Sequence, residues 1–207
     1  MKLLGVDVGS QSIKSCIFND DGKVIACTTY SYEITYPKPH WAEQDPKLWW
    51  VGFKETLRIL LKRVKPDDIE AIAISGQAPT CLPIDKYGNV LRKAIIWIDE
   101  RAIDVCKEVE ELIDPKKLFE ICGNRVHPCF GGYKFLWFKK HEEQLYRRTW
   151  KIMQSHGYII YMLTGNAVTD YSTAGLCAPF FDYRKRSWST YVASLLNFDL
   201  DLLPDIY

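Results

Sequence analysis

With 207 residues, 47% of them hydrophobic, the chain is long enough to bury a large core in one domain, or in one domain with an appendage. Its 27 Lys and Arg against 26 Asp and Glu leave a net charge of +1, and no basic stripe supplies the electrostatic footprint of a nucleic-acid binder. No apolar run reaches transmembrane length, and residues 1–6 meet an acid at Asp7, too soon for a secretory h-region, so no membrane is expected and the expected location is cytoplasmic.

In chain order, residues 3–8 form a short apolar run, Gly9-Ser10-Gln11-Ser12 a turn, and residues 13–18 a second strand. The polar Asn19-Asp20-Asp21-Gly22 turn leads to a third strand over 24–34, which completes an antiparallel meander. A helix follows, with Asp45 as N-cap, Pro46 in its first position and a stripe at Trp49, Phe53, Leu57, Leu60 and Val64 that runs up to Pro66. Residues 69–75 read as a buried parallel strand reached through that helix. Beyond it, residues 101–112, 115–122, 133–145 and 157–163 read as helices, and 178–188 as an aromatic strand-like run around the basic turn Arg184-Lys185-Arg186. Seven cysteines without a Cys-x-x-Cys pair, and four histidines without ligand spacing, read as reduced, mostly buried thiols and no zinc site.

The chemistry-bearing string is Gly5-Val6-Asp7-Val8-Gly9-Ser10-Gln11-Ser12-Ile13-Lys14. An acid at a strand end, followed by a Gly-Ser turn, sets a carboxylate beside exposed amides and hydroxyls. Gly9, Ser10, Gln11 and Ser12 can hold phosphate oxygens, Asp7 can hold Mg²⁺, and Lys14 on the next strand aims its charge at the same place. Phosphoryl transfer needs that kind of positioning and charge neutralisation. No Gly-x₄-Gly-Lys-Ser/Thr is present, and the glycine turn joins two strands where a dinucleotide-binding domain would pass into a helix. An ordinary hairpin with Asp7 as a turn cap is the alternative. Aromatic residues, 14% of the chain, suit a core and equally a carbohydrate site.

An acid-Gly-Ser hairpin opening a meander, then helix, then parallel strand, resembles the actin, hexokinase and Hsp70 ATPase class. Six further strings narrow the resemblance to the FGGY carbohydrate kinases, N-terminal domain, xylulokinase-like. They are Trp41-Ala42-Glu43-Gln44-Asp45-Pro46 with Trp49-Trp50, Ile74-Ser75-Gly76-Gln77, Asp85 with Gly88, Ala94-Ile95-Ile96-Trp97 with Asp99-Glu100-Arg101, Lys134-Phe135-x-Trp137-Phe138, and Leu163-Thr164-Gly165-Asn166 with Thr169-Asp170 and Trp188. The resemblance implies an α/β, ribonuclease-H-like lobe with a mixed sheet and a helical region, and a kinase using ATP and Mg²⁺. It implies Gly9, Ser10, Gln11, Ser12 and Lys14 for phosphate, Asp7 for the metal, and Gln77, Ala78, Pro79, Trp97, Asp99, Arg101 and Cys129 for the sugar. Trp97 as core and Asp99–Arg101 as a simple pair are the structural alternatives.

Two departures stand out. Ala78-Pro79 replaces residues that donate side-chain hydrogen bonds in xylulokinases and glycerol kinases, which leaves the sugar open. The resemblance also implies a catalytic Asp and an adenine-binding lobe beyond Leu203-Pro204-Asp205-Ile206, and this sequence ends one residue later. The base is therefore expected beyond Tyr207, with no catalytic residue among 1–207; Asp170 and Asp182 fit non-catalytic positions. The expectation is a sugar-binding lobe that is inactive alone, whose substrate is a ketopentose or related sugar or polyol, with the second lobe as partner and a homodimer as a further possibility. The rivals are a kinase-derived sugar-sensing or partner-binding module, and another enzyme of the actin-like ATPase class.

Overall fold

Alternation in β1 (Lys2–Val8) buries Leu4, Val6 and Val8 and turns Leu3 and Asp7 outward. β2 (Ser12–Asn19) pairs antiparallel with it, placing Lys14 opposite Asp7 and Cys16 opposite Gly5. β3 (Val24–Ser31) pairs antiparallel with β2, so that Cys16 faces Cys27. The computed structural model, which describes residues 1–207, joins these two sulfurs in a disulfide, with their Cα atoms 4.1 Å apart. This corrects the expectation of uniformly reduced thiols. The cause is register: two cysteines directly opposite across an antiparallel pair bring their Cβ atoms within bonding reach. The other five cysteines are free, four buried and Cys129 half-buried.

After the short β4 (Glu43–Gln44), helix α1 (Pro46–Leu60) starts as its caps require, with Lys47 N donating to the Asp45 carboxylate at 3.0 Å. Trp49, Phe53 and Leu60 are buried on its inner face. The helix ends before Pro66 because the amides of Lys62 and Arg63 reach back only three residues, to Ile59 and Leu60; this tightened end still buries Val64. β5 (Ile69–Gly76) then lies parallel to β1, with Ser75 level with Asp7, and the sheet order is β3-β2-β1-β5. The strand is parallel as expected but not buried, because it forms the edge of this sheet and most of its residues are exposed.

The remaining elements are β6 (Leu82–Ile84), β7 (Ala94–Ile95), α2 (Ile103–Leu112), α3 (Pro115–Cys122), α4 (Gly131–His141), α5 (Glu143–Tyr146), β8 (Lys151–Met153), α6 (Ser155–Thr164), β9 (Val168–Thr169), α7 (Tyr171–Gly175), β10 (Phe181–Asp182), β11 (Ser187–Trp188), α8 (Thr190–Leu195) and β12 (Asp205–Ile206). The short strands pair as β4–β7, β6–β8 and β10–β11, all antiparallel, and β9–β12, parallel. Tyr207 continues the last of these pairings, its amide donating to Thr169 O at 3.0 Å. The expected helix over 133–145 begins at Gly131 and breaks at Glu142, whose backbone leaves the helical region while its carboxylate meets Arg92 at 2.7 Å. The basic turn at 184–186 is exposed and closes the β10–β11 hairpin.

Two cores result. In the first, α1 and α6 cover one face of the sheet, where Leu4, Val6, Ile13, Trp49, Phe53 and Ile159 meet. In the second, α2, α4 and α8 enclose Tyr133, Phe135, Phe138, Phe180 and Val192. The lobe is mixed α/β with the ribonuclease-H-like order expected from the meander, helix and parallel strand. Asp45→Ala should lower unfolding stability by about 1 kcal/mol, seen as a lower denaturant midpoint at unchanged slope; an unmoved midpoint would mean that the cap is not holding α1.

Candidate functional site

The turn between β1 and β2 is closed by Gly9 N donating to Ser12 O at 2.9 Å. A side chain at Gly9 would bring its Cβ to 3.0 Å from that oxygen, so the tight closure favours glycine. Three side chains from elsewhere strap the turn. Tyr32 Oη donates to Gly9 O at 2.6 Å, Gln44 Nε2 to Ser10 O at 2.5 Å, and Trp97 Nε1 to Ser10 Oγ at 3.3 Å. Gln44 Oε1 accepts from Gln77 Nε2 at 2.5 Å and from Trp49 Nε1 at 3.3 Å, and Gln77 Nε2 also approaches Gly9 O at 3.3 Å. The turn expected to hold phosphate and two of the expected sugar residues, Gln77 and Trp97, are thereby held in one network.

The turn keeps free donors. Ser10 N and Gln11 N make no hydrogen bond within the chain, and the Ser12 hydroxyl is likewise unused. Beside them Asp7 is exposed, with no hydrogen-bond or ion-pair partner, and Lys14 opposite it is also exposed and unpaired. A carboxylate with free lone pairs next to free amides and an ammonium suits Mg²⁺ with phosphate oxygens. This face carries a cavity of about 440 Å³ lined by Asp7, Lys14, Cys16, Phe18 and Ser75 among others. Burial, with the nearby Asp7 charge second, pushes the Tyr32 phenol well above its usual range, so it stays a hydrogen-bond donor to Gly9.

Gln77 follows β5 directly, its amide donating to Val8 O at 2.8 Å, and its Oε1 is buried without a partner. Ala78 and Pro79 are joined by a cis peptide. Ala78 lines a second cavity, of about 530 Å³, together with Ser75, Gly76, His156, Asp170 and Thr173. Trp97 is 44% exposed despite its place at the end of an apolar strand, so its indole is not part of the core. Cys129 is half-buried in the loop before α4.

Asp99 and Arg101 are not brought to the open side. The Asp99 carboxylate is fully buried and accepts from Ala42 N at 2.6 Å, from Arg101 N at 2.9 Å and from the Arg101 guanidinium at 2.8 Å. Arg101 also meets Glu43 at 2.8 Å and lies 3.7 Å over the Trp41 ring, while Glu43 is paired with Arg92. Every Asp99 oxygen is committed, which makes this pair a buried brace behind Trp97 rather than a sugar contact. Asp170 and Asp182 are committed as well. Asp170 caps α7 through Thr173 N, and Asp182 accepts from the amides of Arg184 and Lys185. Tyr207 is exposed, and its backbone pairs with β9.

Tyr32, Gln44, Lys134 and His156 escaped the sequence reading as site residues. Gln44 lies in the quoted Trp41–Pro46 string, and Lys134 in the quoted Lys-x₂-Trp string, so their motifs were visible without their roles. His156 is buried, and its Nε2 stands 3.2 Å from Asp170 Oδ2 but misaligned for a hydrogen bond. Burial lowers its proton affinity, against the opposing pull of Asp170.

These observations define a class first: a ribonuclease-H-like lobe with a strapped acid-Gly-Ser turn, as in ATP-handling proteins of the actin type. Residues 2–207 match the N-terminal domain of the FGGY family of carbohydrate kinases, and the chain belongs to that family. It is 32% identical over 204 residues to the xylulose kinase of Staphylococcus xylosus, covering 99% of this chain and 42% of that protein. Among solved structures it resembles the xylulose kinase of Rhodospirillum rubrum (TM-score 0.93, 25% identity, 100% of this chain and 43% of that one). It resembles the gluconate kinase of Lactobacillus acidophilus comparably (TM-score 0.92, 25% identity, 100% and 42%). The chain thus spans about two fifths of the length of the relatives it matches.

Removing Asp99 leaves Arg101 with Glu43 alone and the buried Ala42 amide without an acceptor, so Asp99→Ala should cost about 3 kcal/mol of stability in urea titration; a loss near zero would contradict the brace. Because folding leaves the His156 imidazole with fewer protons than the unfolded chain holds, wild-type stability should fall as the pH drops from about 7 to 5.5. His156→Gln should flatten that slope, and an identical slope would show that His156 is not its source.

Proposed function

We propose that this chain is the acceptor-binding lobe of an ATP-dependent kinase acting on a sugar, polyol or sugar acid, and that it contributes half of the catalytic cleft. The observation that carries the reading is the Gln44 network, which fixes the donor-bearing turn at 9–12 against Gln77 and Trp97. The exposed Trp97 indole offers an apolar face for a sugar backbone, and the unpartnered Gln77 Oε1 can accept a substrate hydroxyl. Cys129 and the Ala78-Pro79 segment complete the wall. With Mg²⁺-ATP bound, the metal would supply charge neutralisation of the phosphates. The residues of this chain would then orient them: free amides at Ser10 and Gln11, hydroxyls at Ser10 and Ser12, the Lys14 ammonium, and Asp7 toward the metal.

A ketopentose such as xylulose is the first substrate to try, with gluconate next, given the relatives named above. Ala78-Pro79 offers no side-chain donor, so hydroxyl discrimination falls on Gln77, Trp97 and the Cys129 loop. Asp170 and Asp182 are engaged in capping, and no other carboxylate up to Tyr207 is assigned as base. The chain alone is accordingly expected not to turn over, and sustained sugar-dependent ADP formation by it would contradict this.

A thermal-shift panel with ketopentoses, aldopentoses, gluconate, glycerol and ribitol, with and without Mg²⁺-ATP, tests the reading. At least one acceptor should raise the melting temperature, and Trp97→Ala should abolish the rise. No shift with any of them at millimolar concentration would overturn it, as would a rise that survives Trp97→Ala.

A further inference from the structure

Lys134 is a charged side chain with no solvent exposure, in a helix whose residues 131–138 are all buried. Its Nζ donates to two backbone oxygens, Pro128 O and Cys129 O, at 2.7 Å each. Neither oxygen receives any other hydrogen bond, because α4 begins only at Gly131 and its ladder does not reach them. One turn further along the same helix, Trp137 packs edge-on against Trp41, at 5.3 Å between ring centres, and beneath the Arg101 guanidinium. The Lys-x₂-Trp string therefore puts two anchors on adjacent turns: one grips the loop ahead of the helix, the other grips the buried Asp99–Arg101 brace.

The loop so gripped has little room. Gly131 N donates to Leu176 O at 2.9 Å, and a Cβ at Gly131 would stand 3.1 Å from the Pro79 side chain. At Gly132 an added Cβ would come within 2.5 Å of Ala178 O. The start of α4 is thus pressed onto Pro79 on one side and onto residues 177–178 on the other. The loop before it has few ties of its own: Cys129 N donates to His127 Nδ1 at 3.2 Å, Phe130 N to His127 O at 3.2 Å, and the rest is Lys134.

We propose that Lys134 is the positioning residue of the acceptor site, its ammonium clamping the Pro128 and Cys129 carbonyls so that the Cys129 loop stays docked beside Ala78-Pro79. That Cys129 borders the acceptor rests on the function proposed above; the clamp itself does not. An ammonium brings three donors and a full charge to carbonyls that no backbone amide can reach, and a neutral amine holds them less firmly.

The charge environment makes the clamp titratable. The groups facing Lys134 are the Asp99 carboxylate, itself tied to Arg101, and the Cys81, Cys106, Cys129 and Cys177 thiols, with Arg125 bordering Cys129. Burial, only partly offset by Asp99, lowers the Lys134 ammonium to about 8. Burial raises the Cys81 and Cys106 thiols to about 12, and those of Cys129 and Cys177 lie above their usual value as well. Lys134 is thus the group in this cluster that loses its proton between pH 7 and 9, and the clamp weakens as pH rises through that interval.

The experiment is a pH titration of the ¹⁵N-labelled chain by NMR, following the backbone amides of His127 and residues 129–131. Cys129, Phe130 and Gly131 should shift together with a midpoint near 8, and their amide exchange should quicken about tenfold across it, beyond the intrinsic pH effect seen in a buried β1 amide. Lys134→Met keeps His127 and Cys129 while removing the titration; it should abolish that midpoint and leave the loop in its fast-exchanging state at all pH values. Amides at 129–131 that do not move between pH 7 and 9 in the wild-type chain would overturn the clamp, and this arm needs no variant to fold. The acceptor reading is read separately, from the sugar-induced thermal shift at pH 7 and at pH 9. A loop that follows the titration in a chain that binds no sugar contradicts the acceptor reading and leaves the clamp in place. A loop that follows it while sugar affinity stays level across the two pH values overturns the positioning role.

Discussion

The side chain of Gln44 is the point on which the arrangement turns. Its amide nitrogen holds the Ser10 carbonyl, and its oxygen receives the amide of Gln77 and the indole of Trp49. One buried side chain therefore ties the β1–β2 turn, the exit of β5 and the core of α1 together. An amide is suited to that position because it donates and accepts at once, and its plane fixes the angle between the groups it joins. In a site only 1% exposed, each of those bonds is expensive to leave unmade, which gives the network rigidity. Tyr32 and Trp97 then hold the outer side of the same turn. On the open side two amides, the Ser12 hydroxyl, Asp7 and Lys14 remain unpaired, and within the network Gln77 Oε1 is left without a partner.

Behind this wall stands a second, charged layer. Glu43, adjacent to Gln44 in sequence, pairs with Arg92 and Arg101, and Arg92 continues to Glu142 at the break between α4 and α5. Arg101 lies against the rings of Trp41 and Trp137, which meet edge to face, while it neutralises Asp99. Burying several charges is costly unless every one is matched, and the alternation of acids and arginines here supplies that matching. The layer connects the sheet core to the helical core, so the segment carrying Trp97 is braced from both. A wall for a flat ligand needs such stiffness, because a mobile indole would lose part of its contact energy to ordering.

Much of this was legible in the sequence, and what was not has identifiable physical causes. The meander, α1 with its Asp45-Pro46 start, and β5 carry strong periodicity and caps, and they lie within a residue or two of expectation, apart from the tightened end of α1 and a third strand that stops at Ser31. The acid-Gly-Ser turn was legible as a tight turn between two strands, while its residues alone left a phosphate-type turn and an ordinary capped hairpin both open. Pairs such as β4–β7 are two residues long and show no periodicity, so the partner of the Trp41–Pro46 string was invisible, and with it the role of Gln44. The Cys16–Cys27 bond depends on strand register, which composition does not report. Asp99 and Arg101 read as sugar contacts by resemblance or as a simple pair; only the acids and aromatic rings around them show that the pair is buried. Lys134 had a signal, a single charge within Tyr133-Lys134-Phe135-Leu136-Trp137-Phe138, and a lysine so placed needs internal acceptors.

The central claim is that the turn at 9–12 and the Trp97 wall form one cleft held by Gln44. It is tested most directly by titrating a ketopentose into the ¹⁵N-labelled chain, in the presence of Mg²⁺-ADP, and following the Trp97 indole N–H together with the amides of Ser10, Gln11 and Gln77. The account predicts that these four resonances move with a common binding constant, while the Trp150 and Trp188 indoles stay fixed. Movement of Trp97 with the turn amides unmoved, or of distant indoles alone, would contradict it.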